Sequence, residues 1–130
     1  MTIVQRSGTP WVSGATPARG AWLPRCDVYE TAGHDLVIEA DLPAVAREDV
    51  ALTIDDRTLT LRATRPAGNG SEGAHLRSER RHGEFARSFV LPTTVDAGGV
   101  RAAYVNGVLR ITLPVKADAR PRRVPVESAA

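Results

Sequence analysis

Residues 100–113 read VRAAYVNGVLRITL, two short apolar runs joined by Asn106-Gly107. In the second run Leu109, Ile111 and Leu113 recur at every other position, which is typical of a strand with one buried face. Asn-Gly is the strongest short signal for a two-residue hairpin turn, because both residues readily adopt positive φ. The stretch therefore predicts an antiparallel hairpin of strands 100–104 and 108–113.

The same alternation continues upstream through the middle of the chain. Leu36, Ile38 and Ala40 share one strand face, and Phe85 and Phe89 share another. Helical signals are nearly absent; one turn is predicted at 45–50, after Pro43. Many short strands with turn residues between them predict an all-β sandwich or barrel. The further strands are predicted at 27–29, 35–42, 50–54, 58–64 and 83–91.

Composition divides the chain into three zones. Residues 1–23 form an N-terminal arm rich in Gly and Pro, residues 24–115 carry the strand pattern, and residues 116–130 form a polar C-terminal tail. A Gly-rich loop is predicted at 66–74. With 130 residues, the chain has room for one modest domain.

Charge and residue usage exclude several classes of function. A net charge of +2 is too small to indicate nucleic-acid binding, and no apolar run approaches the length of a membrane span. Cys26 is the only cysteine, which fits a reducing cytoplasm, and residues 1–20 make a poor secretory signal. His34, His75 and His82 are far apart and match no metal motif. We therefore expect no enzyme, no metal and no cofactor.

Five segments resemble, in order, the small heat-shock proteins, the α-crystallin domain family, in its bacterial and plant form. Residues 102–109 (AAYVNGVL) resemble the family's A-x-x-x-N-G-V-L motif. Val124-Pro125-Val126 resembles its tail motif of two branched apolar residues around a spacer. Ala44 departs from the pattern, since the family usually has Gly after Leu-Pro. The other matching segments are 27–31, 36–43 (LVIEADLP) and 79–92.

The resemblance implies an all-β, immunoglobulin-like β-sandwich with a flexible arm and tail. It also implies an ATP-independent chaperone, or holdase, that binds unfolding proteins and works as a homo-oligomer of dimers. It implies that Val124 and Val126 anchor the tail in a groove on a neighbouring subunit. A frayed tail with two incidental valines is the alternative. A β-sandwich co-chaperone or adhesion-type module that binds one specific partner is the alternative function. The groove residues carried over from the family are Val50, Leu52, Val100 and Ala102.

The resemblance also implies a dimer interface and a client-binding segment. Arg87 falls on the same strand face as Phe85 and Phe89. In the family, the Arg at this place lies near the dimer interface. The alternative is that the Arg87 side chain reaches water at the strand edge. A strand exchanged between subunits is expected around Leu76, Arg77 and Glu79, against the alternative of a solvated charged loop. Apolar arm residues are candidates for binding clients or for packing between subunits, namely Trp11, Val12, Trp22 and Leu23.

Overall fold

The computed structural model describes residues 20–67 and 73–129. Every predicted strand is present, and no strand end differs from the prediction by more than one residue. The predicted turn at 45–50 is a 3-10 turn, Arg47–Asp49, in which Asp49 donates its backbone N–H to the Ala46 carbonyl at 2.9 Å. The strands are β1 Cys26–Glu30, β2 Leu36–Asp41, β3 Val50–Asp55, β4 Thr58–Arg65, β5 Gly83–Val90, β6 Arg101–Val105 and β7 Val108–Leu113.

The strands form two antiparallel sheets, with the orders β1-β2-β7-β6 and β3-β4-β5. One face of each sheet is apolar and the two apolar faces share a single core, in which Ile38 and Ile111 of the first sheet and Leu61 and Phe89 of the second are fully buried. This arrangement confirms the predicted two-sheet sandwich. It follows from the period-two pattern, because a slip of one residue would turn each buried set toward solvent.

Two tight turns fix the register of the hairpins. Asn106 and Gly107 have φ of 53° and 77°, which confirms the predicted turn between β6 and β7. A Cβ added to Gly107 would come within 3.1 Å of the Pro43 Cα, so glycine is required there by both conformation and space. Between β3 and β4, residues 55–57 form the second turn, in which Asp56 has a φ of 54°.

Arg57 joins that turn to the segment after β5. Its guanidinium donates to the carbonyl oxygens of Leu91, at 3.1 Å, Pro92, and Val95, at 3.2 Å. One side chain thus satisfies backbone acceptors where the chain leaves one sheet for the other. Hydrogen bonds from a charged donor are stronger than neutral ones, so this contact fixes the crossover firmly.

Candidate functional site

The apolar faces of two edge strands are incompletely covered. β3 lies at the edge of one sheet and β6 at the edge of the other. Val50, Leu52 and Ile54 of β3 pack against the core but keep part of their surface exposed. Alongside β6 the same holds for Val100 and Tyr104. We call this strip, together with Ala102, the edge groove.

Tyr104 connects β6 to the segment that leads into β3. Its hydroxyl lies 2.5 Å from the Leu42 carbonyl oxygen and 2.8 Å from that of Val45, just before the chain enters β3. The O–H donates into this pair of acceptors, so the phenol ring spans from β6 toward the start of β3. The side chain is half-buried and packs against the core.

The four groove residues carried over from the family all lie on inward faces. Leu52 pairs with the buried Leu61, and Ala102 pairs with the buried Ile111. Ala102 itself is exposed, so the groove is open at that point. The sequence reasoning missed Ile54 and Tyr104 as groove residues, although each continues the same alternation. The docking role of all these residues stays a prediction.

The C-terminal tail presents its two valines to solvent. Residues 121–129 are exposed and adopt no strand or helix. Val124 is 65% exposed and Val126 is 95% exposed. Within the part of the chain that the structure describes, no hydrogen bond is made beyond Arg120. Both valines of the predicted anchor are therefore largely open to solvent in the part of the chain that the structure describes.

The chain before the tail is held to the sandwich. The backbone N–H of Lys116 donates to the Thr94 carbonyl at 2.8 Å, next to an isolated bridge between Val95 and Val115. Arg120 then donates to the Gly33 carbonyl at 2.6 Å and to Asp35 Oδ1 at 2.8 Å. The tail begins to be free only after this last contact.

The segment that the family would exchange between subunits lies at the surface. Residues 73–82 are exposed, and they form no strand in this single chain. Leu76 is fully exposed, and Arg77 contacts Glu79 at 3.3 Å in an ion pair that is open to water. These three residues are free to be covered by a second subunit, and their role in a dimer stays a prediction.

Arg87 lies on the inner face of β5 and is only 8% exposed. Its Nη1 donates to the Pro24 carbonyl at 3.1 Å, and its Cζ lies 5.3 Å from the centroid of the Phe89 ring. The alternative that Arg87 reaches bulk water is therefore wrong for the single chain. The charge is satisfied internally, as a buried guanidinium requires. A contact of Arg87 across a dimer stays a prediction.

Cys26 shares this buried corner with Arg87. Its thiol donates to the same Pro24 carbonyl, at 3.5 Å. Burial raises the pKa of Cys26 to about 11, although the neighbouring Arg87 charge lowers it. The thiol is therefore neutral at physiological pH and is a poor nucleophile.

Trp22 is engaged by its own chain. It forms a parallel bridge to Phe85, with backbone hydrogen bonds to Glu84, at 2.8 Å, and Ala86, at 3.0 Å. Its indole Nε1 donates to the His82 carbonyl at 3.0 Å, and the side chain is 38% exposed. Leu23, the next residue, is more exposed. The client-binding role of both stays a prediction, and Trp11 and Val12 lie outside the described residues.

No group of three or more His, Cys, Asp or Glu side chains is placed to hold a metal ion within residues 20–67 and 73–129. In the same residues, no helix is long and apolar enough to cross a membrane.

Comparison with known proteins gives a consistent result. The Hsp20/alpha crystallin family matches residues 29–127. The chain is 39% identical to the 18 kDa antigen 1 of Mycobacterium avium over 88% of this chain and 76% of that protein. It is 40% identical to a 19.0 kDa class II heat shock protein of Oryza sativa over 75% of this chain and 60% of that protein. Among solved structures, the chain matches a small heat-shock protein of Xylella fastidiosa, which is described as having a distinct high order structure. The TM-score is 0.69 and the identity is 35%, over 84% of this chain and all of that chain.

Proposed function

The chain belongs to the Hsp20/alpha crystallin family, whose relatives are named small heat shock proteins and 18 kDa antigens, and on that premise we propose that it is an ATP-independent holdase of the cytoplasm. In this proposal it assembles as a homo-oligomer of dimers and covers the apolar surface of unfolding proteins. No covalent step is involved, so the activity needs neither cofactor nor metal.

One observation carries the proposal: the same chain bears an exposed pair of valines in its tail and two edge strands whose apolar faces are incompletely covered. Val124 and Val126 are spaced as alternate residues of an extended segment, the same spacing as Val50 and Leu52 along β3. Pro125 keeps the backbone between the valines extended. The occupant that we propose for the edge groove is therefore the tail of a second copy.

The energetics suit a reversible assembly. Burying one valine stabilises a contact by roughly 1.5–3 kcal/mol at most, before the cost of ordering the tail. A single docked tail is therefore weak. Several tails that bind in one assembly act together, and the assembly loosens steeply once a few of them are released. Heating would then expose apolar surfaces where unfolding proteins are being produced.

Client binding is assigned in this proposal to surfaces that the loosened assembly opens. These are the edge groove and the N-terminal arm, with Trp22 and Leu23 at its base. An unfolding protein exposes apolar segments that aggregate through one another. A chaperone that covers those segments lowers the concentration of the aggregating species, without the need for a precise fit to each client.

The test combines assembly mass with client protection. A heat-labile enzyme is heated with the purified protein while light scattering is followed, and the mass of the chaperone is measured by size-exclusion chromatography with light scattering. We expect suppressed scattering and a mass well above that of a dimer. Val124→Gly with Val126→Gly should reduce the mass. Glu127→Gly with Ser128→Gly adds the same two glycines without removing an apolar side chain, and should not.

A strictly monomeric protein that leaves the heated enzyme to precipitate would overturn the proposal. It would favour the alternative of a β-sandwich module that binds one specific partner. A multimer that suppresses aggregation but keeps its mass in the double-valine variant would retain the holdase and remove tail docking as the basis of assembly.

A further inference from the structure

The ion pair between Asp35 and Arg120 fixes the point at which the C-terminal tail leaves the sandwich. Arg120 Nη2 lies 2.8 Å from Asp35 Oδ1, and Nη1 lies 2.6 Å from the Gly33 carbonyl oxygen. Asp35 Oδ1 also accepts the backbone N–H of Val115 at 3.1 Å. The loop between β1 and β2 thus holds both ends of the segment from Val115 to Arg120. We call the two contacts of Arg120 the tail clamp.

The clamp is the last contact before the free tail. From Lys116 to Arg120 the chain makes a short 3-10 turn, Ala117–Ala119, with the N–H of Ala119 bonded to the Lys116 carbonyl at 3.0 Å. Arg122 and Arg123 are exposed and make no hydrogen bond or ion pair in the described part of the chain. Of the three arginines in this region, Arg120 is therefore the one that ties the tail to the sandwich.

We propose that the tail clamp is a positioning device that sets how far the Val124–Val126 anchor can reach, and thereby which neighbouring groove it can bind. An extended chain spans about 3.3–3.6 Å per residue. From a clamped Arg120, Val124 is four residues away and can reach about 14 Å. If the clamp opens, the last fixed point is Lys116, and the reach doubles to about 28 Å. This inference rests on the proposed tail docking.

A short reach restricts the geometry of assembly. With the clamp closed, the anchor can bind only grooves that lie within a narrow range of positions, which favours one subunit number. With the clamp open, grooves at several distances become reachable, which favours a mixture. The ion pair is partly exposed, with side chains 40% and 25% accessible, so its strength is sensitive to salt. The clamp thus couples ionic conditions to the uniformity of the assembly.

The first experiment tests whether the clamp closes. Arg120→Ala removes both contacts, and Asp35→Asn removes the charge pair but leaves an oxygen for the Val115 N–H. In both variants we expect amide hydrogen exchange at Ala119 and Arg120 to quicken at least threefold, while exchange at Lys116 is unchanged. Arg122→Ala is the matched control and should exchange like the wild type. Unchanged exchange in both clamp variants would overturn the clamp.

The second experiment tests what the clamp controls. Native mass spectrometry of the wild type should give one dominant subunit number, and both clamp variants should give at least two. If both variants keep the wild-type distribution while Val124→Gly with Val126→Gly shrinks the assembly, the positioning role is overturned and tail docking stands. If the double-valine variant also keeps the wild-type mass, tail docking fails, and the positioning role fails with it.

Discussion

Arg81 places its guanidinium over the ring of Trp22, with its Cζ 4.1 Å from the ring centroid. The Trp22 backbone is bonded to the edge of β5, so this contact lies beside that strand. Arg65 holds the same corner, because its Nη1 donates to the Arg81 carbonyl at 2.8 Å and its Cζ lies 4.5 Å from the Phe85 centroid. The base of the N-terminal arm, at Trp22, and the end of the exposed segment 73–82, at Arg81, thus meet at the edge of β5.

This stacking predicts a spectroscopic change. In a Trp11→Phe background, Trp22 is the remaining tryptophan, and Arg81→Ala should shift its emission to longer wavelength because the ring face opens to water. The same change should lower the free energy of unfolding by about 0.5–1 kcal/mol. Arg80→Ala is the matched control, since Arg80 is an exposed neighbour with no ring contact in the described residues. Equal emission maxima in the two variants would contradict the stacking.

Ala44 adopts a conformation that suits glycine. Its φ is 61°, in the left-handed region, and its side chain is exposed. The resemblance drawn from the sequence expects Gly at this place, and the left-handed φ gives a physical reason for it. Ala44→Gly should raise the free energy of unfolding by about 0.5–1 kcal/mol, because relief of the left-handed penalty outweighs the added flexibility of the unfolded chain. Urea unfolding measures the change.

Ala46→Gly provides the control for Ala44→Gly. Ala46 is also exposed but has an ordinary φ of −70°, so glycine relieves nothing there and should destabilise the fold slightly. If the two substitutions shift stability in the same direction, the strain at Ala44 is absent.

The strands could be predicted because each has one buried face. In β4, for example, Leu59, Leu61 and Ala63 are buried and the residues between them are more exposed, which is the period that the sequence shows. The turn at Asn106-Gly107 could be predicted because few residue pairs adopt positive φ at both positions. The inward faces of the groove strands followed from the same alternation.

The long-range contacts could not be predicted, because they depend on how the two sheets pack. Arg87 was placed on the correct face, but its acceptor is the carbonyl of Pro24, a backbone group that the sequence does not mark. Arg57 binds three carbonyls after β5, and nothing in the sequence around this turn marks them as its acceptors. Likewise, nothing in the sequence indicates that Trp22 pairs with Phe85, since a single bridge leaves no periodic pattern.

Two neighbouring alanines of β6 lie on opposite faces of the sheet, one on the face of the edge groove and one on the outer face. Both are exposed, but Ala102 pairs with the buried Ile111 on the inner face, whereas Ala103 pairs with Arg110 on the outer face. Ala102→Glu places a charge in the apolar edge groove and should weaken tail docking at least tenfold, because burial of an unpaired charge is costly. The assembly should therefore shrink.

Ala103→Glu carries the same charge on the opposite face, next to Arg110, and should leave the mass unchanged. Size-exclusion chromatography with light scattering compares the two variants, and circular dichroism checks that both remain folded. The edge groove is not the docking site if the two variants have the same mass.

The raised pKa of Cys26 predicts how the free energy of unfolding depends on pH. Burial raises its pKa from the ordinary 9.0 to about 11 in the folded protein. Well below pH 9 the thiol is neutral in both the folded and the unfolded chain, and it contributes no pH dependence. As pH rises from 9 to 11, the unfolded chain loses this proton first. The unfolded chain then binds fewer protons than the folded protein, so stability falls with rising pH.

The full loss between pH 9 and 11 corresponds to roughly 2–3 kcal/mol for a shift of about two pKa units. Other groups also titrate in this range, so the measurement is a difference between the wild type and Cys26→Ala in urea unfolding from pH 7 to 10.5. The gap between the two free energies should be constant below pH 8.5 and should then change in favour of the variant, because alanine has no proton to lose. Two parallel curves across the whole range would mean that the Cys26 thiol ionises as readily in the folded protein as in the unfolded chain, and that its buried corner beside Arg87 is open to water.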